Sequence, residues 1–189
     1  MKHLRTILYL SLIAVIGAVN AAPLYSQSNS QPATAQESKD PEGFVRDPEG
    51  KFTLQLPNKG WIAIYSRDGL NRPQLDIIYR VREDGNLEVR QMTVEPGAKM
   101  IDVATKDEQT LSFQAPGYAK GSIENFGAKG DAAVLTYDYT RGGKPLMGRR
   151  YYLRVNDTTA FVLRFTGNRN TLGPLRSQTD AIARSIKAL

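Results

Sequence analysis

The chain reads as an α+β domain: an antiparallel sheet of about six to eight strands, covered by one mid-chain helix and one C-terminal helix. Three observations predict this. Short runs of alternating apolar and polar residues recur from Phe52 onward, separated by Gly, Asp and Asn. The segment Met100 to Gln114 breaks that alternation. The last segment places Leu175, Thr179, Ile182, Ile186 and Leu189 at spacings of 4, 3, 4 and 3, one face of a helix.

In chain order, "KFTLQLP" sets Phe52, Leu54 and Leu56 against Thr53 and Gln55 and is stopped by Pro57. "WIAIYS" follows, with Trp61 at its start as a packing anchor. "LDIIYRV" and "LEVRQMTV" flank "REDGN", where Asp84-Gly85 suits a tight hairpin turn. The mid-chain helix carries Thr105 and Glu108 at the spacing of a capping box and ends before Pro116-Gly117. Then come four consecutive antiparallel strands, "YAKGSIENF", "AAVLTYDYT", "GRRYYLRV" and "TAFVLRFT", the later ones joined by "RGGKP" and "VNDT". Pro174 opens the final helix, and Asp180 and Arg184 are spaced for an i,i+4 pair on its outer side.

Ahead of this domain, which spans residues 44–189, the chain has two further parts. Residues 1–21 have the order of a secretory signal: basic Lys2 and Arg5, the apolar run Thr6 to Val19, then small residues, with Val19 and Ala21 suited to cleavage. The run has 14 residues where a bilayer span needs about 20, so cleavage is expected over anchoring. Residues 22–43, rich in Ser, Gln, Ala and Pro, have too few aliphatic side chains to offset the entropy of ordering and are expected to be a flexible linker. The product is expected to be exported, periplasmic or secreted, without a membrane span.

Composition excludes more than it selects. Removing Lys2 and Arg5 lowers the formal net charge from +6 to +4, a modest value, and export carries the chain away from nucleic acid. There is no cysteine, and the one histidine, His3, is in the signal. That removes Ser-His-Asp and Cys-His nucleophilic sites, thiol redox chemistry, histidine-held haem and ordinary zinc sites. "GNRNTLG" lacks the Lys and hydroxyl of a phosphate loop and reads as a connection into the last helix. Asp76, Glu88 and Asp138 could do acid-base work, but each lies beside arginines, whose charge favours the ionised carboxylate that a general acid cannot be. Ser66 and Ser122 have no partner that sequence can point to, and the Asn156 sequon is no more than a turn motif. No cofactor is expected.

"FTLQLPNKGW", "APGY" after the mid-chain helix, the long hairpin from Ala133 to Gly167 and the close "LRSQTDAIARSIK" resemble the PsbP-like superfamily. Its members include an extrinsic photosystem II subunit, a Ran-binding import factor and bacterial exported proteins. The resemblance covers nearly all of Phe52 to Lys187 and rests on the order of structural pieces. It implies an α/β/α sandwich around an antiparallel sheet, no catalysis, and work done by binding another protein. It transfers no site: metal contacts proposed for photosynthetic members use His, absent here beyond the signal. A photosynthetic source would place the protein in the thylakoid lumen.

The stretch "GRRYYLRV" carries the functional question. Alternation puts Arg150, Tyr152 and Arg154 on one face, expected to be shared with Arg80, Asp138 and Arg164, with Asp138 pairing at least one of these arginines. This face is the candidate surface for a protein partner in the envelope or at a membrane complex, the domain acting as a monomeric accessory module. The alternatives are a binder of small molecules or anionic surfaces through the same arginines, and a carboxylate-based hydrolase. An apolar-floored pocket at one end of the sheet would discriminate a small-molecule binder from a docking module.

Overall fold

A computed structural model describes residues 42–57, 59–127 and 130–189. The expected signal, and the linker apart from Glu42 and Gly43, lie outside the described residues. Ten strands and three helices follow: β1 (Phe44–Arg46), β2 (Phe52–Gln55), β3 (Trp61–Arg67), β4 (Pro73–Tyr79), β5 (Asn86–Thr93), α1 (Met100–Gln114), β6 (Ala119–Asn125), β7 (Ala132–Arg141), β8 (Lys144–Arg154), β9 (Thr159–Asn168), α2 (Arg169–Leu172), α3 (Arg176–Ser185) and β10 (Lys187–Ala188). The main sheet has seven strands in the order β3-β4-β5-β9-β8-β7-β6, every neighbour antiparallel. A three-stranded sheet, β1-β2-β10, packs with α3 on one face, and α1 packs on the other. This is the α+β sandwich that the sequence predicts.

Alternation along the central strands feeds two cores. Phe161, Leu163 and Phe165 of β9 join Tyr151 of β8 and the small sheet's Val45, Phe52 and Leu54. On the opposite side Ala133, Leu135 and Tyr137 of β7 join Tyr152 and α1's Met100, Ala104 and Leu111. The β7–β8 turn is Gly142-Gly143, both at positive φ, as a type I′ hairpin requires. Gly148 opposes Tyr137 in register, and any side chain there would collide with the tyrosine ring.

Several local expectations are corrected. The apolar stripe to Leu189 is not one helix: α3 ends at Ser185, Ile186 turns extended, and Lys187–Ala188 pairs with β2, leaving Leu189 exposed. Asp180 accepts from the Tyr151 hydroxyl, and Arg184 stacks on the Phe126 ring, in place of the expected i,i+4 pair. Thr105 is inside α1, not at its cap: its hydroxyl donates to the Ile101 carbonyl, and the helix starts five residues earlier at Met100. Asp84-Gly85 is not a two-residue turn but the end of a longer connection, Arg80 to Gly85, in which Arg80 takes φ 56°.

Trp61 is an anchor, 3% exposed, with ring centroids of Tyr79 at 5.3 Å and Phe165 at 5.6 Å. Its indole N–H donates to Gln178 Oε1 at 3.0 Å, tying β3 to α3. Trp61→Ala should lower unfolding free energy by about 3 to 5 kcal/mol in chemical denaturation. A variant as stable as the parent would contradict the anchor role.

Candidate functional site

In "GRRYYLRV" alternation sends Arg149 and Tyr151 to one face of β8 and Arg150 and Tyr152 to the other. Arg149, 4% exposed, donates to the Thr179 hydroxyl at 2.8 Å. Tyr151 hydrogen-bonds the same Thr179 hydroxyl and donates to Asp180 Oδ1 at 2.5 Å. Both acceptors are on α3. Across the sheet, Arg150 pairs with Asp107 of α1 at 2.5 Å, and the Tyr152 hydroxyl donates to the same carboxylate oxygen. The neighbouring Glu108 accepts from the Tyr118 hydroxyl at 2.8 Å and from the Gly121 N–H at 3.3 Å.

These contacts set the local electrostatics. Burial disfavours the Arg150 charge, but Tyr137 and the Asp107 carboxylate more than offset it and hold the guanidinium above its ordinary value. Burial, then the bond to Asp107, raises the Tyr152 hydroxyl, and burial with the bond to Asp180 raises Tyr151. Tyr118 is pushed up to about 12 by burial and by its bond to Glu108.

The predicted arginine face is only partly assembled. Arg150 and Arg164 are direct register partners on β8 and β9, facing α1 with Tyr152 and Arg154. Asp138 is on the other face: Leu135, not Thr136 or Asp138, shares the side of Arg150, and Asp138 pairs with Arg169 at 3.2 Å. The reason is that β7 is buried on both sides, so its aromatic residues do not mark a single apolar face. Arg80 is beyond the end of β4, exposed, with its guanidinium 5.2 Å from the Tyr79 ring centroid. Arg154 is engaged by carbonyls, donating to Ala98 and, at 2.9 Å, to Asp157. Arg164 approaches Glu88 at 3.6 Å, a carboxylate that Arg90 holds at 2.5 Å.

α1 packs over β6, β7 and β8. Toward β3 and β4 the same face is open, with Ile62 43% and Ile64 42% exposed beside Ile78 and the Asp76–Arg82 pair. Between the open half and α1 runs a cleft of about 590 Å³. Its apolar lining is Met92, Val94, Val103 and Val162; its charged lining includes Arg90, Lys106, Asp107, Arg150 and Arg164. The cleft lies on the sheet face over the central strands β5, β9 and β8, not at one end of the sheet, so it does not by itself select a small-molecule binder over a docking module. Among the described residues no group of three Asp, Glu, His or Cys gathers to hold a metal.

Sequence reasoning missed Asp107 and Lys106. A signal for Asp107 exists: with Met100, Ala104 and Leu111 it completes one helical face at spacings of 4, 3 and 4, so a carboxylate occupies an inward position.

No family model matches the chain, and no curated protein matches it by sequence. Solved structures do resemble it. LpqN of Mycobacterium tuberculosis, involved in cell envelope biogenesis, aligns with TM-score 0.50 at 16% identity over 77% of this chain and 88% of LpqN. Cyanobacterial PsbP, CyanoP, of Synechocystis sp. PCC 6803 aligns with TM-score 0.50 at 15% identity over 84% of this chain and 99% of CyanoP. A Bacteroides thetaiotaomicron protein aligns with TM-score 0.52 at 13% identity over 78% of this chain, which spans 48% of that one. The fold is therefore PsbP-like.

A tyrosine whose folded ionisation lies above its ordinary value of 10.0 stabilises the fold fully below that value and loses the contribution as pH rises toward the folded one. The melting midpoint should therefore fall as pH climbs from 10.0 to about 12, the window set by Tyr118. Tyr118→Phe should flatten the fall. An unchanged slope in the variant would show that Tyr118 is not held neutral by the fold.

Proposed function

We propose that the protein is an exported, non-catalytic accessory module that docks a protein partner of the cell envelope on the open half of its main sheet. The observation that carries this is Ile62 and Ile64, exposed side by side on β3 and bordered by Ile78 and the Asp76–Arg82 pair. An apolar centre with a charged border is the composition of a protein interface. The partner surface that fits is apolar at its middle and charged at its rim.

Three further features support the reading. No helix among the described residues is long and apolar enough to cross a membrane. The signal-like first 21 residues favour export. LpqN, of the same fold, is involved in cell envelope biogenesis. Against catalysis, Asp76, Glu88, Asp107 and Asp138 each have an arginine partner within 4.0 Å, which is the pattern of structural ion pairs, not of two carboxylates flanking a scissile bond.

A photo-crosslinking residue at position 64 of the full chain, expressed in its own host, tests this. The expected result is processing to a product beginning at Ala22 and a discrete adduct with one envelope protein, absent when the crosslinker replaces Lys144 and lost with Ile62→Asp. The same adducts from positions 64 and 144, or none from 64, would overturn the docking surface.

A further inference from the structure

The cleft beside α1 has a polarity that protein docking on β3 does not use. Along β5, Arg90 faces the same side as Met92, and Arg164 and Val162 stand beside them on β9. Glu95, the acidic residue farthest along the lining, is five residues beyond Arg90, roughly 16 Å along extended chain. Among the lining residues the cations therefore gather at one end of the apolar floor, while Arg154, at the level of Met92, does not line the cleft and is held by the Ala98 and Asp157 carbonyls.

At the cationic end the positive charges are under-served. Glu88 is one carboxylate for two arginines, close to Arg90 at 2.5 Å and only loosely against Arg164 at 3.6 Å. Asp107 is taken by Arg150, whose Nε is buried without a hydrogen-bond partner among the described residues. Lys106 has no carboxylate oxygen within 4.0 Å among the described residues. Asp107 touches Arg150 and Tyr152, whose register partners are Arg164 and Val162, so Lys106 next to it stands at the level of Arg164. Arg150 and Arg164 are like charges directly opposed across neighbouring strands, an arrangement that destabilises a sheet unless an anion offsets it.

The floor supplies the other half of the recognition. Met92, Val162 and Val103 are only partly buried, and Val94 closes the far end. The volume lies within the roughly 300 to 1,000 Å³ of small-molecule sites, which are mostly apolar with a few placed polar groups. A free inorganic anion would leave this floor unused, and a neutral lipid would leave the cations unused.

We propose that the cleft binds a small amphiphilic anion, with its apolar body on Met92, Val94 and Val162 and a single carboxylate or phosphate head between Arg164 and Lys106. The guanidinium can take either head through paired N–H donors, and the flexible lysine closes over it as a point charge. The Tyr152 hydroxyl is committed to Asp107, so selectivity comes from charge and apolar length and not from a hydroxyl network. Arg150 serves as a fixed positive wall, since its ion pair ties it to α1.

Titration of the purified protein with octanoate, octyl phosphate, octanol and inorganic phosphate, followed by methyl NMR of Met92 and Val162, tests this. The expected result is saturable shifts at both methyl sites with octanoate or octyl phosphate, and binding at least tenfold weaker for octanol and for inorganic phosphate. Whichever octyl anion binds more tightly identifies the head group. The double variant Lys106→Gln, Arg164→Gln, in which Lys106 is exposed and Arg164 is only loosely paired, should keep the parent melting midpoint and lose at least tenfold in affinity. Octanol binding as tightly as the anions, no saturation by either anion, or parent affinity in the double variant would each overturn the proposal. Because Ile62→Asp leaves this cleft intact, loss of the crosslink and loss of anion binding are separate outcomes.

Discussion

One β-strand holds both covering layers in place. The doubled "RRYY" of β8 projects an Arg-Tyr pair to each side of the main sheet, and each pair closes on a short polar sequence of the helix that it meets: Thr179-Asp180 of α3 on one side, Asp107 of α1 on the other. Neither helix could dock as firmly through apolar contact alone. α1 buries only Met100, Ala104 and Leu111 over fifteen residues, and α3 only Thr179, Ile182 and Ala183. The Arg150–Asp107 pair is only part-buried, and Arg149 meets a neutral hydroxyl, so neither contact adds the energy of a fully buried ion pair. The contacts therefore fix where each helix lies more than they add bulk stability.

That placement leaves the proposed docking face open. Asp107 and Glu108 draw α1 toward β8 and β6, so the helix covers β6 to β8 and leaves β3 and β4 open. The cleft is the step between the covered and open halves. Its cations come from four separate elements, Lys106 from α1, Arg90 from β5, Arg150 from β8 and Arg164 from β9, and Lys106 joins the others because the Asp107–Arg150 pair ties the helix to the sheet. On the far face, the small sheet and α3 close over the other core with Trp61 as the link. One side of the sandwich is covered by the small sheet and α3, and the other leaves β3 and β4 exposed.

The strands, the mid-chain helix and the sheet's antiparallel order were legible because period-two alternation and Gly or Pro punctuation are local signals. What was not legible depends on which face each strand turns inward. In a sheet buried on both sides, Tyr137 and Leu163 are equally apolar yet belong to opposite cores, so Asp138 was expected beside Arg150 when it is behind it. The end of α3 was misread because Ile186 and Leu189 continue a helical spacing while the backbone has already turned extended to pair with β2. Of the candidate residues, Arg150, Tyr152 and Arg164 do share a face, Arg154 joins them but is satisfied by carbonyls, and Arg80 leaves the strand altogether. Asp107 was the readable omission, a charge on the inward face of a helix otherwise carrying Met, Ala and Leu.

Each Arg-Tyr pair of β8 secures one helix independently of the other. Amide hydrogen exchange on two double variants, Arg149→Gln with Tyr151→Phe and Arg150→Gln with Tyr152→Phe, separates the two contacts. The first should lose protection in α3 while α1 stays near the parent, and the second should do the reverse. Equal loss in both helices from either variant, or full protection in both, would show that the pairs do not hold the helices.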